Sequence, residues 1–527
     1  MIDRSMKLPK KSVGFVACLL LIFAFFLVSC SPESKQHSEP VVKTIYGSIS
    51  GSIEDGVFSF KGIPYAKADR FMPPQAPDAW EGVHEHTKFG PIAMQVNSWS
   101  PESAMDEKKL FTVNVWTQGI NDDKKRPVMV WLHGGGFSVG ASDDPITDGK
   151  MLAQKGDIVF VSVNHRLNIL GFVDLSAFGD EYANSANVGM LDVVAALEWV
   201  NKNIGNFGGD PKNVTIVGES GGGGKVGTLM SMPAAKGLFQ KAIIQSGTLL
   251  NVMTKEKSVE VGNALVDVLG LTKDNISEIN NIPYKQLVEA GNKALEKTVG
   301  LRKPGSTTMF GFGPVPDGVN LLQQPFTPDF ADISKDVPLM IGTTFNELVR
   351  TVYSEKNLTM DEAKQRLATT YGDQTDTYIE LFEKTYPNST PQDLLSIDTL
   401  FRPNTIVTAD ARAANTDAPV YVYLLTWKSP VEDNSKGSFH GLDIPLAFKN
   451  IELGKHWTGT GDDAYALADK MSSAWINFVK TGNPNGDSLP AWKAYSRENG
   501  ETMIFDKELK ILNNHDRDLM QLIKSAG

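Results

Sequence analysis

The chain has 527 residues, 41% hydrophobic and 21% charged, with 51 basic against 62 acidic side chains and a formal net charge of −11. Those proportions fit a folded globular protein with a sizeable core rather than a disordered or fibrous one. No basic tract is concentrated enough for the electrostatic footprint of a nucleic-acid-binding protein, so no nucleic-acid partner is expected.

The N-terminus stands apart from the rest. Residues 1–12 carry Arg4, Lys7, Lys10 and Lys11 against Asp3, and residues 13–28 form a continuous apolar run. A run of 16 residues falls short of the ~20 that a membrane-spanning helix needs. A basic start and a short apolar core describe a secretory signal over 1–29. The run ends in Leu27-Val28-Ser29-Cys30, which resembles a bacterial lipobox. That resemblance implies cleavage before Cys30, lipid on the cysteine, and a protein exported and held at a membrane. A plain signal with an incidental Cys30, giving a secreted or periplasmic protein, is the alternative. Residues 30–40 are polar after the cysteine and fit a flexible tether. The chain's two cysteines, Cys18 and Cys30, both fall in this leader, so the mature body can hold no internal disulfide.

From 41 to 527 no linker, repeat or low-complexity tract divides the chain. Short apolar runs at 128–132, 158–163, 214–217, 242–245, 339–341 and 421–425 predict strands covered on both faces, as in a parallel sheet. Residues 188–204 have the spacing of an amphipathic helix. The stretches 254–301 and 358–405 are predicted to be mainly helical, as insertions rather than separate domains. The alternation predicts an α/β sheet with helices on both sides. The run Asp122-Asp123-Lys124-Lys125-Arg126 is expected to be a solvated turn. His84-x-His86 fits a surface strand better than a metal pair, because no third ligand lies nearby.

The chemistry begins at Gly218-Glu219-Ser220-Gly221-Gly222, directly after a predicted strand and before a helix-like stretch at 225–232. A serine hydroxyl is a weak nucleophile unless a sharp turn presents it to a base. Glycines on either side let strand and helix approach closely enough to make that turn. The base should follow the serine, as should an acid on another strand end. His440, His456 and His515 follow it. His440, in Ser438-Phe439-His440-Gly441 beyond a predicted strand, suits the role, and the other two are expected on the surface. For the acid, Glu347 follows the 339–341 strand, with Asp317 in Pro316-Asp317-Gly318 as second choice. In His133-Gly134-Gly135-Gly136-Phe137, after another strand, three glycines allow N–H groups to converge on one point. A phosphate-binding loop is the alternative, but the Lys-Ser/Thr of a nucleotide loop is missing.

Taken with Phe207-Gly208-Gly209-Asp210-Pro211, Gln245-Ser246-Gly247 and Thr481-Gly482-Asn483-Pro484, these motifs resemble the type-B carboxylesterase family over nearly all of 41–527. The resemblance implies an α/β-hydrolase fold, a central mostly parallel sheet flanked by helices, with helical insertions around the active site. It implies hydrolysis of a small-molecule ester with Ser220 as nucleophile, Glu347 as acid and His440 as base. The N–H groups of Gly135, Gly136 and Gly221 would hold the oxyanion, and no metal or other cofactor is needed. Trp99, Glu219 and Phe137 are candidate substrate-pocket residues. Thioester, amide or polyester hydrolysis on the same residues, or a non-catalytic adhesion module, are the alternatives. The chain departs from the family pattern at Gly221, usually Ala, at Lys225, often Ser, and at Leu348, often Gly.

Overall fold

The strand Arg126–Leu132 buries almost every side chain, which requires cover on both faces of the sheet it joins. In the computed structural model, residues 40–96, 103–300, 311–348 and 351–526 are described. The expected signal and the expected tether up to residue 39, with Cys18 and Cys30, and Trp99 all lie outside them. The described residues form one compact unit.

Eleven strands make the main sheet: β1 (Ser52–Glu54), β2 (Val57–Pro64), β3 (Thr112–Thr117), β4 (Arg126–Leu132), β5 (Val159–Val163), β6 (Gly209–Glu219), β7 (Lys241–Gln245), β8 (Leu339–Thr344), β9 (Val420–Leu425), β10 (Glu501–Phe505) and β11 (Lys510–Asn513). Their spatial order is β11-β10-β9-β8-β7-β6-β4-β5-β3-β2-β1. From β10 across to β5 all neighbours are parallel. The outer strands at both ends pair antiparallel.

Alternation along each strand sorts side chains between the two faces. Val128, Val130 and Leu132 of β4 join Val214, Ile216, Ile244 and Ile341 in one core. Met129 and Trp131 join Phe160, Ile243, Met340 and Tyr423 in the other. The helix Val188–Asn203 covers the first core through Val193, Leu197 and Val200. It also buries Asp192, whose carboxylate takes a two-pronged contact from Arg166 at 2.6 and 2.8 Å. The helix Asp462–Thr481 covers the second core through Met471, Trp475 and Phe478. The insertions are helical as predicted and pack their own small cores, around Leu265 and Leu287 in one case and Phe382 and Leu394 in the other.

Several features differ from the sequence reading. Strand β6 is longer than the 214–217 run, and the helix after Ser220 is Gly221–Leu229, starting at the glycines rather than at 225. Arg126 belongs to no solvated turn. It is buried, and its guanidinium bonds Asp122 and Asp157, so paired charges rather than water satisfy it. His515, expected on the surface, is half-buried, its ring edge-on to Tyr386. His84 does lie on an exposed strand, Val83–Glu85, and stacks on Trp80. No helix among the described residues is long and apolar enough to cross a membrane.

Candidate active site

Four candidate segments leave the carboxyl ends of strands in the parallel part of the sheet: 133–137 after β4, Ser220 after β6, 345–347 after β8, and the loop carrying His440 after β9. A parallel sheet directs all such loops to one edge, where sites assemble.

Ser220 sits between β6 and its helix with φ 56° and ψ −123°. A non-glycine residue in such a conformation costs roughly 1–3 kcal/mol, so its surroundings must fix it. The Ser220 N–H donates to Gln245 O at 2.9 Å, and Gly224 N–H donates to Ser220 O at 3.0 Å. The glycines are required by contact: a methyl on Gly218 would fall 2.3 Å from Gly222 backbone atoms, and one on Gly222 only 2.0 Å from Leu132 O.

Ser220 Oγ lies 2.8 Å from His440 Nε2, and His440 Nδ1 lies 2.5 Å from Glu347 Oε2. Glu347 Oε1 also accepts from Thr344 N–H at 2.8 Å. The loops bearing Glu347 and His440 are zipped together. His440 N–H donates to Glu347 O at 3.0 Å, Asn346 N–H donates to Ser438 O at 2.9 Å, and Ser438 N–H donates to Asn346 Oδ1 at 2.7 Å. The ring of Phe401 stacks on His440, centroids 5.5 Å apart and planes 8° from parallel. Asp317, the second-choice acid, is elsewhere. Its carboxylate accepts from Val319, Asn320 and Leu321 N–H groups and from Asn187, closing its own turn.

The site is rich in carboxylates. Glu219 Oε1 stands 3.3 Å from His440 Nε2. Burial pulls the imidazole pKa down, but Glu219 and Glu347 more than offset it and push it up to about 9. Asp443 is buried and accepts from Gln245 and Tyr423, and burial raises its pKa. Asp398 accepts from the N–H groups of Leu400, Phe401 and Arg402. Burial, and the nearby Glu347 charge, raise its pKa to about 7.

The glycine loop faces Ser220. Gly135, Gly136 and Phe137 all have positive φ, at 96°, 59° and 61°. A methyl on Gly221 would sit 2.5 Å from Gly136 N and 3.1 Å from Phe137 N, so the loop's amides lie against the start of the helix. His133 itself is buried and stacked on His165. Burial holds both imidazoles well below their usual pKa, with the nearby Lys225 adding to the effect.

A cavity of 670 Å³ opens over Ser220. Its walls include Gly134–136, Glu219, Phe401, His440, Ile444 and Trp457. Phe137, a candidate pocket residue, does not line this wall. The ring instead turns inward, where it is buried in apolar packing edge-on to Phe172. Glu219 does line the cavity. His456 is exposed, as expected, and its place at the surface is on the rim of this cavity, beside Trp457 and Asp144. Phe401, Asp398, Asp443 and Trp457 carry no local motif, and only Asp443, three residues past His440, lies near one.

The doubly wound sheet, the glycine-flanked serine turn and the loops at its carboxyl edge define an α/β-hydrolase. The chain matches the Carboxylesterase family over residues 38–521. It is 36% identical to the para-nitrobenzyl esterase of Bacillus subtilis, over 92% of this chain and 99% of that protein. It is 30% identical to human cocaine esterase, over 92% of this chain and 90% of that one. Among solved structures, it resembles an esterase of anaerobic Clostridium hathewayi that can hydrolyze aliphatic aromatic polyesters, with TM-score 0.82, 36% identity, and coverage of 93% and 98%. It also resembles the Geobacillus stearothermophilus carboxylesterase EST55, with TM-score 0.76, 35% identity, and coverage of 92% and 99%. The chain belongs to the carboxylesterase family and is a carboxylic ester hydrolase.

Proposed function

We propose that ester hydrolysis proceeds by acyl transfer through Ser220. His440 Nε2 takes the Ser220 proton as Oγ attacks the ester carbonyl. The N–H groups of Gly135, Gly136 and Gly221 hold the oxyanion. His440 then gives its proton to the departing alcohol, leaving an acyl group on Ser220. Water, deprotonated by His440, attacks that acyl group; the bond to Ser220 Oγ breaks, His440 returns the proton to Oγ, and the acid is released. Glu347 accepts from Nδ1–H, which fixes the tautomer leaving Nε2 as base and stabilises the imidazolium. The observation carrying this reading is the continuous contact Ser220–His440–Glu347 at the floor of a cavity beside a glycine loop. Ser220→Ala should lower kcat by about 10⁶ while leaving the fold intact. Turnover close to wild type in that folded variant would overturn the scheme.

A cavity of 670 Å³ lies within the ~300–1,000 Å³ common for small-molecule pockets, which supports a small ester as substrate. The Clostridium hathewayi relative makes polyester chains the second reading. A panel of esters varied separately in acyl and alcohol length, with an aromatic polyester oligomer alongside, separates the two.

We further propose that residues 1–29 direct export and that a lipid on Cys30 holds the enzyme at a bacterial membrane. The sequence pattern of the leader supports this. Cys30→Ser should move activity from the membrane to the soluble fraction, and unchanged partition would count against the anchor.

A further inference from the structure

Lys225 lies in the helix Gly221–Leu229, one turn beyond Ser220, and is fully buried. Its Nζ donates to the carbonyl oxygen of His133 at 2.7 Å. It also lies 5.8 Å from the centre of the Phe137 ring. Among the described residues it makes no ion pair. A buried lysine without a carboxylate is costly, and burial holds its pKa well below the usual lysine value. Both groups it touches bracket the glycine loop: His133 immediately before Gly134–Gly136, and Phe137 immediately after. Three successive positive φ values at 135–137 give this loop a conformation that its surroundings must hold.

Gly221 bears on the same loop from the other side. A methyl there would lie 2.5 Å from Gly136 N and 2.8 Å from Gly136 Cα, closer than real Cβ atoms approach. The backbone of Gly136 occupies the space that any other residue at 221 would fill. We propose that Lys225 is a positioning residue that clamps the 133–137 loop at the short distance which glycine at 221 permits, so that the two residues act as a pair. This rests on the reading of the loop as an oxyanion hole. Through the clamp, the Gly135 and Gly136 amides are held ready before substrate arrives, and displacement of such a group by about 1 Å can cost ~100-fold in rate.

The test uses the full-length enzyme, a neutral short-chain ester, and an aryl trifluoromethyl ketone that forms a tetrahedral adduct with a serine nucleophile. Lys225→Met keeps the length and removes the donor. It should lower kcat by roughly 10- to 100-fold, leave KM within about twofold, and weaken trifluoromethyl ketone binding by the same factor as kcat. A lysine that only fills space would not tie inhibitor affinity to kcat in this way. Gly221→Ala leaves the Lys225 bond in place and should produce the same signature, so it carries the test if Lys225→Met does not fold. Because release of the clamp lets the loop yield to the added methyl, the double variant should lose less than the product of the two single losses. Wild-type kcat and inhibitor affinity in folded Lys225→Met, or strictly multiplicative losses in the double variant, would overturn the proposal. Ser220→Ala measured alongside separates the two claims. An inactive Ser220→Ala with an unaffected Lys225→Met rejects the clamp alone, whereas an active Ser220→Ala rejects the underlying reading.

Discussion

Replacing Glu219 by Gln should move the acid limb of kcat/KM to lower pH. Glu219 Oε1 is 3.3 Å from His440 Nε2, and Glu347 holds the other ring nitrogen. Unit charges 4 Å apart attract by about 4 kcal/mol at an effective dielectric near 20. Spread of the charge over two oxygens reduces this, and an opposite charge at such range usually moves a pKa by ~1–3. Burial pulls the His440 pKa down, but Glu219, Glu347 and, less strongly, Asp443 outweigh it and push it up to about 9. A raised imidazole pKa keeps the base protonated and idle at neutral pH, so activity should climb from pH 7 towards about 9. At pH 7 roughly one hundredth of such an imidazole is in the neutral form. Removing Glu219 lowers the limb by about one pH unit or more, and raises the neutral fraction at pH 7 about tenfold. On the proposed acyl-transfer scheme the plateau at high pH should fall, because Glu219 would also stabilise the imidazolium formed as Ser220 attacks. A pH-stat titration of short-ester hydrolysis from about pH 6 to about pH 10, corrected for the uncatalysed rate, measures limb and plateau separately. A limb that stays in place or moves upward in folded Glu219→Gln would refute the electrostatic coupling.

Phe401→Ala removes the ring stacked on His440. Such a contact is worth ~0.5–1.5 kcal/mol, so kcat should drop by up to about tenfold with little change in KM, as steady-state kinetics would record. Asp516 accepts two hydrogen bonds from buried Arg402, at 2.7 and 3.0 Å. The Arg402 charge outweighs burial and holds the Asp516 carboxyl below its usual range. Asp516→Asn, which strands that guanidinium, should cost about 3–5 kcal/mol in urea unfolding at neutral pH. A depressed carboxyl contributes stability above its unfolded pKa of about 3.9 and loses it as pH falls towards the folded value. The gap between wild type and variant should therefore close below about pH 4, and a gap independent of pH would refute this ion-pair account.

Much of this molecule is legible along the chain because the informative features are local. Strands β4, β7 and β9 announce themselves through unbroken apolar runs, since both faces must be covered. The turn at Ser220 is legible because packing this tight admits only glycine at 218 and 222. Chain order and strand ends point to Glu347 and His440, which the structure sets in contact. What stays hidden depends on contacts between distant segments. Phe401 and Asp398 come from a helical insertion, and nothing in their own neighbourhood ties them to a histidine some forty residues later. Arg126 sits in a charged run that looks solvated, yet Asp157 across a helix and Asp122 in the same run bury it. His515 lies among polar neighbours, but the fold carries it against Tyr386. Phe137 follows a glycine loop that lines the cavity, while its ring packs inward against Phe172, far off in the sequence. Lys225 looks like an ordinary helical lysine until the loop it bonds is seen.

If Ser220 carries the acyl group as proposed, covalent trapping will find it there. The enzyme would be treated with a fluorophosphonate, and the adduct located by peptide mass mapping. One adduct on the peptide containing Ser220, formed in step with loss of esterase activity and missing from Ser220→Ala, is the predicted result. An adduct at another residue that tracks the loss of activity, or undiminished hydrolysis after Ser220 is fully modified, would contradict it.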